Sequence, residues 1–238
     1  MSHSDDLRKQ RAGTVINLTS KKQETELGQA LRAVEARVQH EFPVRLEHKK
    51  DWYLNEILQA LTTEFAGTDV DFGEAHSKKP SMRPDGGVLS MLDNNDVPHH
   101  ILISEMKSQG TNDKRIEEGL GTQSMGNAIE RMGKNVIGFR TAMLSETIMP
   151  FVCFGSGWDF KPESSILDRV LVIAMFGPLN DIDGMWTKGE GRFNRGCYFF
   201  QEKPWTVDEM TDTLFTVAKR SIQYYLAKHG EEAFIPEE

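Results

Sequence analysis

The 238-residue sequence lacks any apolar segment long enough to cross a membrane, because its longest uncharged apolar run covers only residues 170–176 and a transmembrane helix needs about 18 residues. The first ten residues, MSHSDDLRKQ, lack the apolar stretch of a secretory signal. Only two cysteines occur, Cys153 and Cys197, and they lack CxxC spacing. This usage is typical of a reducing compartment. We therefore expect a cytoplasmic protein without a membrane partner.

The sequence also lacks an excess of positive charge. The chain has 28 Lys and Arg against 36 Asp and Glu, a net charge of -8, which taken alone argues against a partner bound through phosphates. The charge is uneven, however, because residues 1–50 contain ten basic and seven acidic side chains, whereas the last eight residues contain four acidic ones. The global charge therefore does not identify the partner.

The sequence has no internal repeat and no low-complexity segment, which excludes solenoids and long linkers. A content of 38% hydrophobic and 27% charged residues is typical of a globular protein. We expect a flexible N-terminal arm over residues 1–20, a single domain over residues 21–230 and an acidic tail over residues 231–238.

Apolar periodicity predicts both helices and strands. Helical spacing is found in residues 27–38, 52–65 and 126–144, and in a last helix that a capping box of Thr206 and Glu209 begins. Short β-prone runs predict strands at residues 86–92, 99–107, 150–154, 170–176 and 197–200, with a turn at residues 155–157. This mixed order predicts an α/β fold with helices on both sides of a central mixed β-sheet.

The turn-forming residues 93–98 predict a hairpin between the first two strands. Such a hairpin pairs residues whose numbers sum to about 191, which places Asp85 opposite Met106 to within one residue. Residues two apart on a strand share a face, so Glu105 and Lys107 should be neighbours. Two carboxylates and one ammonium are therefore expected at one end of the hairpin.

Neighbouring carboxylates repel each other unless a cation lies between them. The carboxylates of Asp85 and Glu105 and the backbone carbonyl of Met106 suit Mg²⁺, which prefers oxygen ligands. Lys107 would orient or help to deprotonate a water aimed at a phosphorus atom and offset the charge of the transition state. The alternative is an ordinary ion pair at the edge of a strand beside a PDGG turn, since such short motifs occur in many unrelated chains.

Longer segments of the chain carry a more specific pattern. SMRPDGGVL, ILISEMKSQG, MGNAIERMGKN and FRTAMLSETIMPFV, followed by SSILDR and WTKGEGR, resemble the EcoRI family of type II restriction endonucleases in order and spacing. The resemblance spans most of the chain past residue 20. It implies a PD-(D/E)XK nuclease core whose catalytic residues are Asp85, Glu105 and Lys107.

The resemblance also implies a homodimer that cleaves a palindromic site in double-stranded DNA with Mg²⁺ and leaves 5′ overhangs. A cognate DNA methyltransferase of the same restriction-modification system is then an expected partner. The DNA-contacting residues that it implies are Gln109, Met125, Gly126, Asn127, Ala128, Glu130, Arg131 and Arg169.

An asparagine can pair with N6 and N7 of adenine, and one such pair discriminates between bases by about 1–3 kcal/mol. Asn127 therefore indicates an AATT core, with GAATTC as the site that the resemblance favours. Gly126 allows close approach of the backbone, and Ala128 leaves room for a thymine methyl group. The alternative for the GNAIER segment is a plain helix N-terminus, with Asn127 as the cap and Glu130 three residues later.

Two departures from the family pattern leave the outer base pair open. Val172 stands where the family has a second arginine three residues after the one that Arg169 matches, and Met125 replaces either a small residue or the arginine of the branch that reads CAATTG. Two other functions also stay open. One is a structure-selective repair or recombination nuclease, and the other is a sequence-specific DNA-binding protein without catalytic activity.

Overall fold

A computed structural model of the chain describes residues 13–74, 76–108, 119, 127–182 and 195–235, and it describes the side chains of these residues except 13–20, 127 and 128. The helices of the described part are α1 (Gly13–Glu41), α2 (Leu54–Glu64), α3 (Asn127–Ala142), α4 (Ser165–Ile173) and α5 (Val207–His229). The strands are β1 (Arg45–Lys49), β2 (Trp52–Tyr53), β3 (Ser81–Met82), β4 (Gly87–Leu92), β5 (Pro98–Ser108), β6 (Phe151–Ser156) and β7 (Cys197–Gln201). Short 3₁₀ turns cover Trp158–Phe160 and Glu231–Ala233.

Within the described residues, the main sheet has five strands in the order β1-β4-β5-β6-β7. Strands β1, β4 and β5 are antiparallel, whereas β5, β6 and β7 are parallel. The central strand β5 is buried from Ile101 to Met106, as expected for a strand covered on both faces. The predicted α/β fold with a mixed sheet and flanking helices is confirmed.

Two layers of helices cover the sheet. Helix α1 lies on one face, where Gln23 hydrogen-bonds to Ser108 at the end of β5. Helix α3 lies on the other face, where Asn135 contacts Glu105. Side chains alternate along a strand, so residues 105 and 107 face α3 while residues 104, 106 and 108 face α1.

The last helix forms as its sequence predicts. The side chain of Thr206 accepts a hydrogen bond from the backbone of Glu209, and the Glu209 carboxylate accepts one from the backbone of Thr206. These two bonds satisfy donors that a helix N-terminus leaves free. The apolar stripe is buried against the rest of the protein, and its members are Met210, Leu214, Val217, Ser221 and Tyr225.

Residues 170–176 were predicted as a strand, and this prediction is wrong. They form the end of α4 and the turn after it. Ile166 and Val170 are buried one turn apart on the same helix face, whereas Val172 and Phe176 are 56% and 78% exposed. A short apolar run does not by itself distinguish a strand from one face of a helix.

Two smaller predictions also need correction. The turn expected at residues 155–157 is incorrect, because Gly155 and Ser156 are the last residues of β6. Gly155 is needed there because a Cβ atom would lie 2.3 Å from the Phe200 ring. The helix expected from residue 52 begins at Leu54 instead, and Trp52 pairs with Met82 in a short strand.

The described residues include parts of the expected arm and of the expected acidic tail. Helix α1 begins at Gly13, so the described part of the expected arm has a helical backbone. At the other end, Phe234 is fully buried within the acidic tail. No helix in these described ranges is both long and apolar enough to cross a membrane. Cys153 and Cys197 are both buried.

Candidate active site

The β4–β5 hairpin has the predicted register at its open end. Gly87 pairs with Ser104 and Leu89 pairs with Leu102, so the numbers sum to 191, and an irregularity follows Leu89. Just before β4, Asp85 is therefore opposite Met106, whose backbone N–H donates to Oδ2 of Asp85 at 3.0 Å. The turn between the strands and the irregularity after Leu89 together set the position of the first carboxylate.

The two glycines after Asp85 allow this approach. A Cβ atom at Gly86 would lie 2.0 Å from Oγ of Ser104, so only glycine fits against β5. Gly87 has a φ of +79°, a left-handed conformation that L side chains rarely adopt. Its N–H bonds to the carbonyl of Pro84 at 2.9 Å, which closes the PDGG turn.

Asp85, Glu105 and Lys107 meet at this end of the hairpin. The backbone N–H of Asp85 donates to Oε2 of Glu105 at 3.0 Å. The Lys107 ammonium forms a short contact with Oε1 of Glu105 and lies 3.6 Å from Oδ2 of Asp85. The exposed fractions of these side chains rise from 2% for Glu105 to 17% for Lys107 and 29% for Asp85. The group is therefore open to solvent on the side of Asp85.

The electrostatics of the group follow from its burial. Burial raises the pKa of Glu105, and the charge of Asp85 adds to this effect, while Lys107 opposes it. Burial acts to lower the pKa of Lys107, but the charges of Glu105 and Asp85 outweigh it and raise that pKa above its usual value. Lys107 is therefore an ammonium at neutral pH, and the ionised group of three has one excess negative charge.

The donor chemistry of the group fits a hard divalent cation. Two carboxylates and a nearby backbone carbonyl, that of Met106, are the oxygen ligands that Mg²⁺ prefers. No cluster of three or more His, Cys, Asp or Glu side chains suited to a metal occurs in the described part of the chain. A cation here would therefore complete its coordination with water and phosphate, as Mg²⁺ commonly does.

Residues from outside the hairpin surround this group. Nδ2 of Asn135 on α3 donates to Oε1 of Glu105 at 3.4 Å. On the other face, Gln23 of α1 hydrogen-bonds to both Ser108 and Ser156 and so joins the ends of β5 and β6. Neither residue was among the site residues predicted from the sequence. For Asn135 a signal existed, since it follows Asn127 by eight residues on one helix, whereas nothing local distinguished Gln23.

The residues implied to contact DNA are only partly described. Asn127 and Ala128 begin α3, and Glu130 and Arg131 are exposed in its first two turns. Arg169 of α4 lies 3.8 Å from Glu130, so the two helices present these residues side by side. The three remaining residues lie outside the described part of the chain, namely Gln109, Met125 and Gly126.

Restriction endonucleases are the known proteins that this sequence matches in the comparisons that follow. The family model for the restriction endonuclease EcoRI matches residues 9–188. The type II restriction enzyme RsrI of Cereibacter sphaeroides is 27% identical over 244 residues, which cover 88% of this chain and 87% of RsrI. The type II restriction enzyme EcoRI of Escherichia coli is 29% identical over 155 residues, covering 60% of this chain and 54% of EcoRI. The family match includes the hairpin, α3 and α4.

Proposed function

Because the chain belongs to the EcoRI family of restriction endonucleases, we propose that it is a Mg²⁺-dependent type II enzyme that cleaves double-stranded DNA at a palindromic site. The proposed site has an AATT core, with GAATTC as the favoured sequence, and cleavage leaves 5′ overhangs. The observation that carries this proposal is the meeting of Asp85, Glu105 and Lys107 at one end of the β4–β5 hairpin.

Asp85 and Glu105 are the proposed cation ligands, together with the backbone carbonyl of Met106. A bound Mg²⁺ would polarise the scissile phosphate and lower the pKa of a water molecule. Two carboxylates suit this role because both lie at the open end of the hairpin, where the Asp85 backbone contacts Glu105 and the Met106 N–H orients the Asp85 carboxylate. The burial of Glu105 strengthens its attraction for the cation, because opposite charges attract each other more strongly in an apolar environment than in water.

Lys107 is the third proposed catalytic residue. Its pKa is raised by the two carboxylates despite its burial, so the side chain keeps its proton at neutral pH. This favours a role as a donor that orients the attacking water and stabilises negative charge on the phosphate. The other role, in which the amine removes a proton from that water, would require the bound cation to offset the two carboxylates and so lower this pKa.

The residues at the start of α3, with several residues outside it, are proposed to recognise the DNA sequence. Asn127 would pair with adenine, Ala128 would contact a thymine methyl group, and Gly126 would let the backbone approach the bases. The remaining residues proposed to contact DNA are Gln109, Met125, Glu130, Arg131 and Arg169. The exposure of Glu130 and Arg131 supports this arrangement, since base-reading side chains must be free to enter a groove.

A palindromic site requires two equivalent reading surfaces, so we propose that the enzyme acts as a homodimer in which each subunit reads one half-site. A methyltransferase of the same sequence specificity would protect the DNA of the host cell. Both partners, and a cytoplasmic location, are part of this proposal.

Digestion of a sequenced plasmid with Mg²⁺, followed by sequencing of the ends, tests the proposal. We expect cuts confined to sites with an AATT core and 5′ overhangs. Asp85→Ala should abolish cutting, whereas Asp69→Ala serves as a control because Asp69 is exposed in a loop outside the hairpin.

Three results would contradict the proposal. No cutting at any Mg²⁺ concentration, with tight metal-independent binding of one sequence, would indicate a DNA-binding protein without catalysis. Preferential cutting of branched DNA over linear duplex would indicate a structure-selective nuclease. Full activity of Asp85→Ala would show that the hairpin has no catalytic role.

A further inference from the structure

The turn that carries Asp85 is anchored by a histidine from outside the catalytic hairpin. His48 lies on β1, the strand beside β4, and its Nε2 atom is 2.8 Å from the carbonyl oxygen of Gly86. A carbonyl oxygen can only accept a hydrogen bond, so Nε2 of His48 donates the hydrogen. The residue directly after Asp85 is thus held by a side chain that the catalytic motif does not include.

Packing around the turn shows how closely β1 approaches it. A Cβ atom at Gly87 would lie 2.8 Å from Nε2 of His48 and 2.6 Å from the carbonyl oxygen of Lys49. On the opposite side, the N–H of Gly86 donates to the carbonyl oxygen of Ser104 at 2.9 Å. The backbone of the turn is therefore fixed by β5 at its N–H and by His48 at its carbonyl.

The ring of His48 is oriented in turn by helix α1. Oε1 of Glu35 lies 2.6 Å from Nδ1 of His48. This oxygen is buried and forms no well-aligned hydrogen bond within the part of the chain that the structure describes, so its approach to Nδ1 is a close polar contact. An imidazole contacted at both nitrogens cannot rotate without losing one of the contacts. Glu35 and His48 thus connect α1 to the turn.

We propose that His48, oriented by Glu35, is a positioning residue for Asp85. Its bond to Gly86 sets where the Asp85 carboxylate stands relative to Glu105, and so how well the two carboxylates share a divalent cation. This inference rests on the proposed nuclease function and adds to it two residues that act through the backbone.

The physical reason lies in the small number of contacts that place Asp85. Its N–H donates to Glu105 and its Oδ2 accepts from Met106, each at 3.0 Å. Both contacts depend on the path of the backbone through the turn, so a turn released from His48 can shift both at once. Groups that orient metal ligands commonly change metal affinity or activity by about 10- to 100-fold when they are removed.

Four variants of the full chain test the inference. They are His48→Ala, His48→Gln, Glu35→Gln and the control His40→Ala, in which an exposed histidine of α1 is removed. Mn²⁺ binding is measured by calorimetry, and the Mg²⁺ concentration for half-maximal single-turnover cleavage is measured in parallel. Thermal melting without metal reports on folding.

We expect His48→Ala to weaken Mn²⁺ binding and to raise the half-maximal Mg²⁺ concentration by about tenfold. His48→Gln should recover most of this loss, because its amide can donate to the Gly86 carbonyl. Glu35→Gln should show a smaller loss of Mn²⁺ binding, and His40→Ala should behave as the wild type.

Unchanged Mn²⁺ binding by His48→Ala would overturn the inference, even if its melting temperature falls, because the role would then be structural only. Equal defects in His48→Gln and His48→Ala would also overturn it. A wild type that binds Mn²⁺ but cleaves no DNA would instead refute the nuclease proposal, and the Mn²⁺ measurements would still decide the role of His48.

Discussion

The side-chain amide of Asn135 donates to Oε1 of Glu105 at 3.4 Å, so helix α3 contacts the buried carboxylate of the β4–β5 hairpin. Asn127, Arg131 and Asn135 are spaced by four residues and therefore share one face of α3. The same helix face thus begins with the residues proposed to read DNA and ends at the proposed cation site. A displacement of α3 on binding DNA would act directly on Glu105.

We expect Asn135→Ala to lower the single-turnover cleavage rate about fivefold, since a hydrogen bond of this kind contributes about 1 kcal/mol. The affinity for the DNA site, measured without metal, should stay unchanged, because Asn135 contacts the Glu105 carboxylate and is not among the residues proposed to contact DNA. Thr141→Ala is the matched control, as Thr141 is exposed on the same helix. Equal losses of binding and cleavage in Asn135→Ala would contradict a coupling role.

The pH dependence of cleavage should reflect the raised pKa of Glu105. An ordinary glutamate has a pKa of 4.5, and burial raises that of Glu105. Because protons and cations compete for the same carboxylate, cation binding and cleavage should fall as the pH drops through this raised pKa. The neutral form is easier to bury, so Glu105 itself favours the folded state most at low pH and loses this contribution as the pH rises.

Cleavage rates measured from about pH 5 to 8 at several Mg²⁺ concentrations check this expectation. Higher Mg²⁺ should move the acidic limb of the profile to lower pH by mass action. A limb that does not move with Mg²⁺ would show that a group other than a cation ligand controls it.

Gly87→Ala should destabilise the protein more than Gly67→Ala does. Both glycines have left-handed φ values, +79° and +84°, but a Cβ atom at Gly87 would meet the Lys49 carbonyl at 2.6 Å whereas Gly67 has open space. The backbone strain alone costs about 1 kcal/mol at Gly67, and the clash should bring the loss at Gly87 to about 3 kcal/mol. Urea unfolding measures both, and equal losses would argue against the tight contact with β1.

Thr206→Ala should lower the unfolding free energy by about 1 kcal/mol, because it removes the N-cap of α5. The control is Thr216→Ala on the same helix, where the hydroxyl bonds to the backbone of Asp212 inside the helix. Its removal should change stability by less than about 0.5 kcal/mol. A Thr206→Ala protein as stable as the control would show that the capping box contributes little.

Arg169→Ala separates a structural role from a DNA-binding role. Its ion pair with Glu130 spans 3.8 Å between side chains that are 57% and 67% exposed, and exposed pairs contribute little to stability. Unfolding should therefore change by less than about 0.5 kcal/mol. DNA binding should weaken with a smaller dependence on salt, and an unchanged affinity would contradict the proposed contact.

Local connectivity explains why the candidate site was predictable. A short turn joins β4 to β5, so counting residues predicts the hairpin register to within one residue, and Asp85, Glu105 and Lys107 are brought together by one supersecondary unit. The capping box of α5 was predictable for the same reason, since Thr206 and Glu209 are three residues apart. Each of these features depends on neighbours in the sequence.

The wrong predictions for residues 170–176 and 155–157 concern segments whose local pattern fits two different structures. The apolar residues 170–176 satisfied a strand pattern, but packing placed Val170 in the core and left Phe176 exposed. Gly155 suited a turn, yet the ring of Phe200 across the sheet required a glycine within β6. In both cases distant residues, which no local pattern contains, selected the outcome.

By itself the sequence determined the fold class, the meeting of Asp85, Glu105 and Lys107 at one end of a hairpin, and the family, because these depend on periodicity, short loops and ordered motifs. Only the tertiary structure showed that His48, in contact with Glu35, holds the residue after Asp85. Only the tertiary structure likewise showed that Asn135 contacts Glu105 and that Gln23 bonds to the ends of β5 and β6. These residues come from helices and strands far apart in the chain. Their contacts exist only after the sheet has formed and both helix layers have packed on it, so no local spacing encodes them.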